Sequence, residues 1–465
     1  MSTAGAPRRL SDVEAAFAYS HALMAGTTQV TTRLSLRGAV PDAALERAVL
    51  RWEQDVPLLR LRIEERPDGL WFREAPGGQA GRLRCGPLPG ARTPDDVLRA
   101  ELNEILPTGG PLWRMRAVRA AGETHLFFTR NHAISDGHST GAVLRALLDH
   151  LPDHPGSDSG HPDSDPDRGR ASDPCPAPAG AGPFEDVHRL PPDVDGLEYR
   201  PPFAPAPAAP PKAADPAPVP FDAAAPWADR AADFTALELS ARQTAELRTW
   251  CRAEGVTVNQ FLGAAFAESW TRIAGRADIR LLTAISLRGR YPGPLPDVGC
   301  FISVVGVPVA PHADGTAETA RRYGAELRDA DARWRPPRRG HAEIRRAVAR
   351  TADAAEAPGI CITNIGVADP AFGVHAGRVT GFRTVVNRTG ANYGLVLHAA
   401  TFAGALSLAL AHGTPATGSA TARAVARDLH ALLLRPGAPL GVSPPAEPVP
   451  AGRGSARRTP AAAAD

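Results

Sequence analysis

Two hydrophobic periods take turns along residues 1–151. Ser11-Asp12-Val13-Glu14 is a capping-box pattern, and Phe17, Ala18, His21 and Ala22 follow it at helical spacing. A strand pattern covers Gln29–Arg37 and closes at Gly38. From Pro41, Leu45, Ala48, Val49, Trp52 and Val56 fall on one helical face. Short strands at Leu61–Glu65 and Leu70–Arg73 flank a Pro67-Asp68-Gly69 turn. A helix over Asp95–Leu106 and a strand over Trp113–Arg119 come next. Thr124–Ser139 then reads as an apolar strand, a tight loop and a helix start, with Val143, Leu144, Leu147, Leu148 and Leu151 along one side of that helix.

From Pro152 to about Asp233 the pattern breaks down into Pro, Ala, Asp, Gly and Ser, as in the run from Ala204 to Pro211. Such a segment buries too little apolar surface to offset its ordering entropy. The expectation for 152–232 is a long crossover, largely disordered, with one docked piece near Phe184–Leu197. The alternation resumes at 233 with a strand at Phe234–Leu239 and helices around Leu247–Glu254 and Val256–Ile273. Strands at Ile279–Leu287 and Cys300–Val309 precede helices at Thr316–Trp334 and Ala342–Ala354. Strands at Gly359–Asn364 and Val379–Val386, a hairpin of Tyr393–Ala400 with Ala405–Leu410, and a helix at Thr421–Leu434 complete this half. A disordered tail is expected over 435–465. The class is α/β (α+β), in two halves of similar content, 1–151 and 233–434.

Composition narrows the function. The formal net charge of +2 over 465 residues gives no reason to propose nucleic acid. Lys212 is the only lysine, so the arginine richness reads as background bias. The five scattered cysteines contain no C-x-x-C pair, against a disulfide framework or structural zinc. Met1–Arg9 has no apolar core suited to a signal peptide, and no apolar run approaches a membrane span. A cytoplasmic monomer is expected. Neither a phosphate-binding Gly-rich loop nor a His-Glu-x-x-His pattern is present.

The candidate chemistry lies at His132, followed after three residues by Asp136-Gly137. His154/Asp158 and His161/Asp165 share the shorter spacing, but only His132 is delivered into a loop by a strand. A neutral imidazole can take a proton from a hydroxyl or amine near pH 7. Asp136, held by an arginine, would brace the loop, Gly137 would let the backbone pass closely, and Ser139 or Thr140 would cap the following helix.

Asn131-His132-Ala133-Ile134-Ser135-Asp136-Gly137 resembles the H-H-x-x-x-D-G signature of the condensation-domain superfamily. That superfamily includes peptide-synthetase condensation domains, chloramphenicol acetyltransferase and polyketide-associated acyltransferases of the phthiocerol dimycocerosyl transferase type. Trp250–Asn259, Ser286–Arg290 followed by Asp297–Phe301, and Cys361–Gly366 are similar to second-half segments of the last group. The resemblance implies two chloramphenicol acetyltransferase-like domains in a V-shaped pseudo-dimer with a central tunnel. A thioester donor, on a phosphopantetheinyl carrier protein or coenzyme A, would meet an acceptor at His132, the catalytic base. No bound cofactor or metal is implied. Asp136 and Gly137 would be structural, with Arg288, then Arg290, as the partner of Asp136. Thr363 and Asn364 are candidates for an oxyanion or tunnel role. Asn131 replaces the first histidine of the signature.

The implied activity is O-acyl transfer to a hydroxyl in natural-product or lipid biosynthesis, with an acyl carrier protein or polyketide synthase as partner. The alternatives are amide formation with an amine acceptor, and a catalytically inactive carrier-binding homologue. The run Trp334–Arg339, continuing to Arg345-Arg346, is a candidate for docking an acidic carrier or coenzyme A phosphates, set against a solvated helix end. Cys251 and Cys361 read as small core residues.

Overall fold

The computed structural model describes residues 7–74, 82–152, 187–204, 215–293, 295–296, 298–387 and 392–437. Two mixed α/β lobes, each built on its own sheet, make up the protein. The first lobe's five-stranded sheet runs in the order Val379–Val386, Gln29–Arg37, Glu123–Asn131, Trp113–Ala120 and Leu83–Pro87. The second lobe's six-stranded sheet has the order Ile302–Val309, Ile279–Ser286, Ile360–Val367, Val396–Phe402, Ala405–Thr414 and Ala231–Leu239.

Helices take the faces that the apolar spacing dictates. Helix Asp42–Asp55 buries Leu45, Ala48, Val49 and Trp52 in the first core. There Trp52 meets Trp113 and Phe128 edge to face, with Trp52 and Trp113 centroids 5.1 Å apart. Helix Val258–Ala274 supplies Phe261, Leu262 and Phe266 to the second core. At the chain's first helix, Asp12–Leu23, the predicted capping box is present: Ser11 accepts from the Glu14 amide, and Glu14 accepts from the Ser11 amide.

The two halves are less separate than their sequences imply. Strand Val379–Val386, expected within the second half, pairs antiparallel with Gln29–Arg37 and completes the first lobe's sheet. Phe372, Phe382 and Phe402 join the first core as well. Apolar alternation marks a strand and its faces, but an open edge on another sheet can take it as readily as its own.

The described parts of the crossover pack against the lobes, among them residues 187–197 of the stretch near Phe184–Leu197 where a docked piece was expected. Residues 153–186 and 205–214 lie outside the described residues, whereas 187–204 and 215–232 are ordered against the lobes. Val187 is buried in the first core, and Val194 packs with Leu287, Tyr291 and Phe301. The Asp195 carboxylate accepts from the Asp12 amide at 2.9 Å. Val219–Pro220 pairs with Glu356–Ala357. A few apolar side chains spaced among the prolines are enough to dock these pieces. The expected tail from 438 onward also lies outside the described residues.

Candidate active site

The His132 loop lies between the lobes because strand Glu123–Asn131 stops there and turns. Asn131 makes the turn, its Oδ1 accepting from the Ala133 amide at 2.9 Å, and a short 3-10 turn covers His132–Ile134. The residue that departs from the signature thus has a local task, capping the turn that carries His132. Its buried Nδ2 has no partner among the described residues.

Asp136 caps helix Gly137–Leu148 by accepting from the Ser139 amide at 2.8 Å. The expected cap, Ser139 or Thr140, is displaced by the residue that starts the turn. The carboxylate is fully buried and holds four donors: the Ser139 amide and hydroxyl on Oδ1, Arg288 at 2.5 Å and the Phe301 amide at 3.0 Å on Oδ2. Burial alone would raise its pKa, but the Arg288 charge and these hydrogen bonds pull it down to about 2. Arg290, the second candidate partner, pairs with Asp331 at 2.7 Å instead.

Gly137 has an ordinary φ; it is needed for a different reason. A Cβ there would collide with Cγ2 of Ile365, from the second lobe's strand Ile360–Val367. The second lobe reaches the loop at Gly299 too, whose carbonyl accepts from the Asp136 amide at 3.0 Å and whose amide donates to Ser139 Oγ at 3.1 Å. One loop therefore fastens both lobes together beneath His132.

Two chambers meet at that imidazole. The first, of about 310 Å³, is lined mainly by apolar side chains, among them Val13, Ala16, Phe17, Val304 and Val396. Pro337 also lines it, and the exposed Arg335, Arg338 and Arg339 flank that proline in sequence. The second, of about 240 Å³, is more polar and includes Arg130, Ser286, Asn364, Thr384 and His398. His132, Ala284, Ile302, Thr363 and Val386 border both.

The His132 ring is stacked on Phe17, with centroids 4.3 Å apart and planes 9° from parallel. Its Nδ1 lies 3.8 Å from Cys300 Sγ. Burial first, then the Arg130 guanidinium, push its pKa down to about 4, against smaller opposing effects from its own backbone carbonyl and Asp136. The ring is therefore neutral near pH 7. His398, pushed down to about 3 by burial and by His132, is neutral as well; its Nε2 accepts from the Val386 amide.

Thr363 lies on the wall common to both chambers, while Asn364 Oδ1 is occupied by the Gly366 amide at 2.9 Å. Cys251 and Cys361 are buried, and burial pushes their thiols up to about 11 and about 12. Phe17, Arg130, Cys300 and His398 are site residues that the motif reading passed over. Phe17 was legible as the apolar face of the first helix, and Arg130 as the neighbour of the signature. His398 had no local sequence signal.

Residues 228–411 match the family model described as the C-terminus of phthiocerol/phthiodiolone dimycocerosyl transferase. None of the curated proteins matches the chain by sequence. Among solved structures it is similar to the TRI3 trichothecene 15-O-acetyltransferase from Fusarium sporotrichioides, at TM-score 0.65 and 13% identity over 93% of this chain and 96% of that one. It is likewise similar to the first condensation domain of the calcium-dependent antibiotic synthetase in complex with a substrate analogue, at TM-score 0.65 and 16% identity over 94% and 98%. The condensation domain of the Monacolin K polyketide synthase MokA aligns at TM-score 0.62 and 13% identity over 93% and 98%.

Proposed function

We propose that this chain, which carries the chloramphenicol acetyltransferase-like fold of the condensation-domain superfamily and matches the dimycocerosyl transferase family over its second half, is an acyltransferase. It moves an acyl group from a thioester to a hydroxyl acceptor. The observation that carries this reading is the position of His132, a neutral imidazole on the wall shared by two chambers of different character. A group that works between two substrates has to be reachable from both.

The apolar chamber suits the acyl chain, and the exposed arginines that flank Pro337 in sequence suit the phosphate of a pantetheine arm, whether on a carrier protein or on coenzyme A. The acceptor enters the polar chamber. The neutral His132 ring offers a nitrogen lone pair to the acceptor hydroxyl. The hydroxyl oxygen attacks the thioester carbonyl as that nitrogen takes its proton. The tetrahedral intermediate then expels the thiolate, which recovers that proton and leaves as a thiol. Thr363, which borders both chambers, and Asn364, whose Oδ1 accepts from the Gly366 amide and whose Nδ2 remains a donor, are the candidates to donate to the developing oxyanion. No covalent acyl-enzyme is required.

A catalytically idle carrier-binding module is less consistent with the site, because Asn131 keeps the His132 turn intact. The test is ester formation from acyl-pantetheine and acyl-coenzyme A thioesters with a panel of alcohols, followed by mass spectrometry. His132→Ala should lower turnover by about 10²–10⁴-fold. Undiminished turnover in that variant would remove His132 from the chemistry, and no product from the wild-type protein with any pair would favour the idle module.

A further inference from the structure

The acyl-transfer step leaves one charge in the polar chamber unused. Arg130 lies two residues before His132, is 1% exposed and lines that chamber. Its guanidinium donates to Thr32 Oγ1 at 3.0 Å and to Thr140 Oγ1, while its buried Nε has no partner among the described residues. One face lies over the Phe128 ring, 5.2 Å from the centroid. Four other buried arginines hold carboxylates, Arg82 with Glu53, Arg114 with Glu101, Arg290 with Asp331 and Arg383 with Asp95, and a fifth, Arg230, donates to the Ala225 carbonyl and to Asn392 Oδ1.

Arg130 has hydroxyl partners only. No carboxylate lines its chamber, and Asp136, the acidic group that acts on it through space, is already saturated by Arg288, Ser139 and Phe301. A guanidinium buried without an anion is costly unless one arrives with a ligand.

We propose that the polar chamber takes an acceptor bearing a carboxylate, a hydroxy acid, with Arg130 as its charge partner beside His132. The term acceptor rests on the acyl-transfer reading; the anion site does not. Burial lowers the Arg130 pKa only to about 9, so the group is still cationic near neutral pH. Its charge weakens His132 as a base, and a bound carboxylate would offset that effect, so the correct acceptor would also sharpen the base.

The experiment is isothermal titration of the full chain with 3-hydroxybutyrate, mandelate and salicylate, each beside its methyl ester. At least one acid should bind about tenfold or more tightly than its ester, as a charge-assisted pair demands. Arg130→Gln should abolish that preference, and Arg130→Lys should keep part of it. Equal binding of acid and ester, no binding of any acid to the folded wild type, or an unchanged preference in Arg130→Gln would overturn the proposal. If Arg130→Gln does not fold, the wild-type acid–ester comparison and Arg130→Lys still decide it. Acid binding without turnover would count against the acyl-transfer reading alone; turnover with alcohols but no acid preference would count against the anion site alone.

Discussion

Arg288 of the second lobe donates to the buried carboxylate of Asp136 at 2.5 Å, across 152 positions of sequence. The same guanidinium reaches Ser139 Oγ at 2.9 Å and lies over the Phe301 ring, 4.9 Å from its centroid. The link is therefore a clamp between lobes, placed directly under the His132 loop, and it leaves the imidazole free to face the chambers.

The clamp should dominate acid stability. The Asp136 pKa falls from an ordinary 3.8 to about 2 on folding, so its contribution is fully present above pH 4 and is lost as pH falls towards 2. That shift is worth roughly 2–3 kcal/mol. Asp136→Asn should melt at lower temperature than wild type at pH 7, with the gap closing as the pH approaches 2. Asp136→Ala should cost more, about 3–5 kcal/mol, because Arg288 and two amides lose their acceptor. Thermal melts from pH 2.5 to 7 measure both, and a soluble Asp136→Ala variant with an unchanged melting temperature would contradict the clamp.

Gly137 and Ile365 offer a second test at the same seam. Gly137→Ala places a methyl group against Cγ2 of Ile365 and should destabilise the protein by about 1–3 kcal/mol. Ile365→Ala removes that Cγ2, while its retained Cβ stands at ordinary contact distance, 3.6 Å from the new methyl. The double variant should therefore recover part of the loss in a double-mutant cycle. Strict additivity would mean that the glycine is required for some other reason.

Local pattern made most elements legible, down to the capping box at Ser11 and the strand–loop–helix around His132. An arginine partner for Asp136 could be named only through the family resemblance, since no spacing rule joins positions 136 and 288. What stayed hidden were choices between equally good partners in space. Strand Val379–Val386 could extend either sheet, and Gly137 gave no hint that Ile365 would press on it. The pairing of Val219–Pro220 with Glu356–Ala357 was masked by surrounding prolines. Arg130 was hidden by composition: in an arginine-rich chain a single arginine draws no notice, and its burial on two threonine hydroxyls shows only in the structure.

The pH dependence of turnover follows from the environment of His132. Its depressed pKa leaves the base form dominant above about 4, so kcat/KM should be flat near neutrality and fall as the pH drops through that value. Phe17→Ala would remove the stacked ring and admit water, moving the acid limb up towards 6.5 and lowering turnover about tenfold through looser positioning. A wild-type limb already near 6.5 would show that the ring is more hydrated than its packing implies.

Cys300 is the remaining group near the imidazole, and its position invites a cysteine–histidine nucleophile reading. Its Sγ lies 3.8 Å from His132 Nδ1. Burial, then the negative charges of Asp136 and Glu14, raise the thiol pKa well above 9, so the thiolate form is suppressed at neutral pH. Since the thiolate is the nucleophilic form, Cys300 should pack against the ring without reacting. Cys300→Ala should retain turnover within about fivefold of wild type, against the far larger loss expected for a nucleophile. Intact-protein mass spectrometry after incubation with an acyl thioester alone should show no acyl adduct. An adduct that disappears in Cys300→Ala, or a loss of about 10³-fold in a folded variant, would replace direct transfer with a covalent route through Cys300.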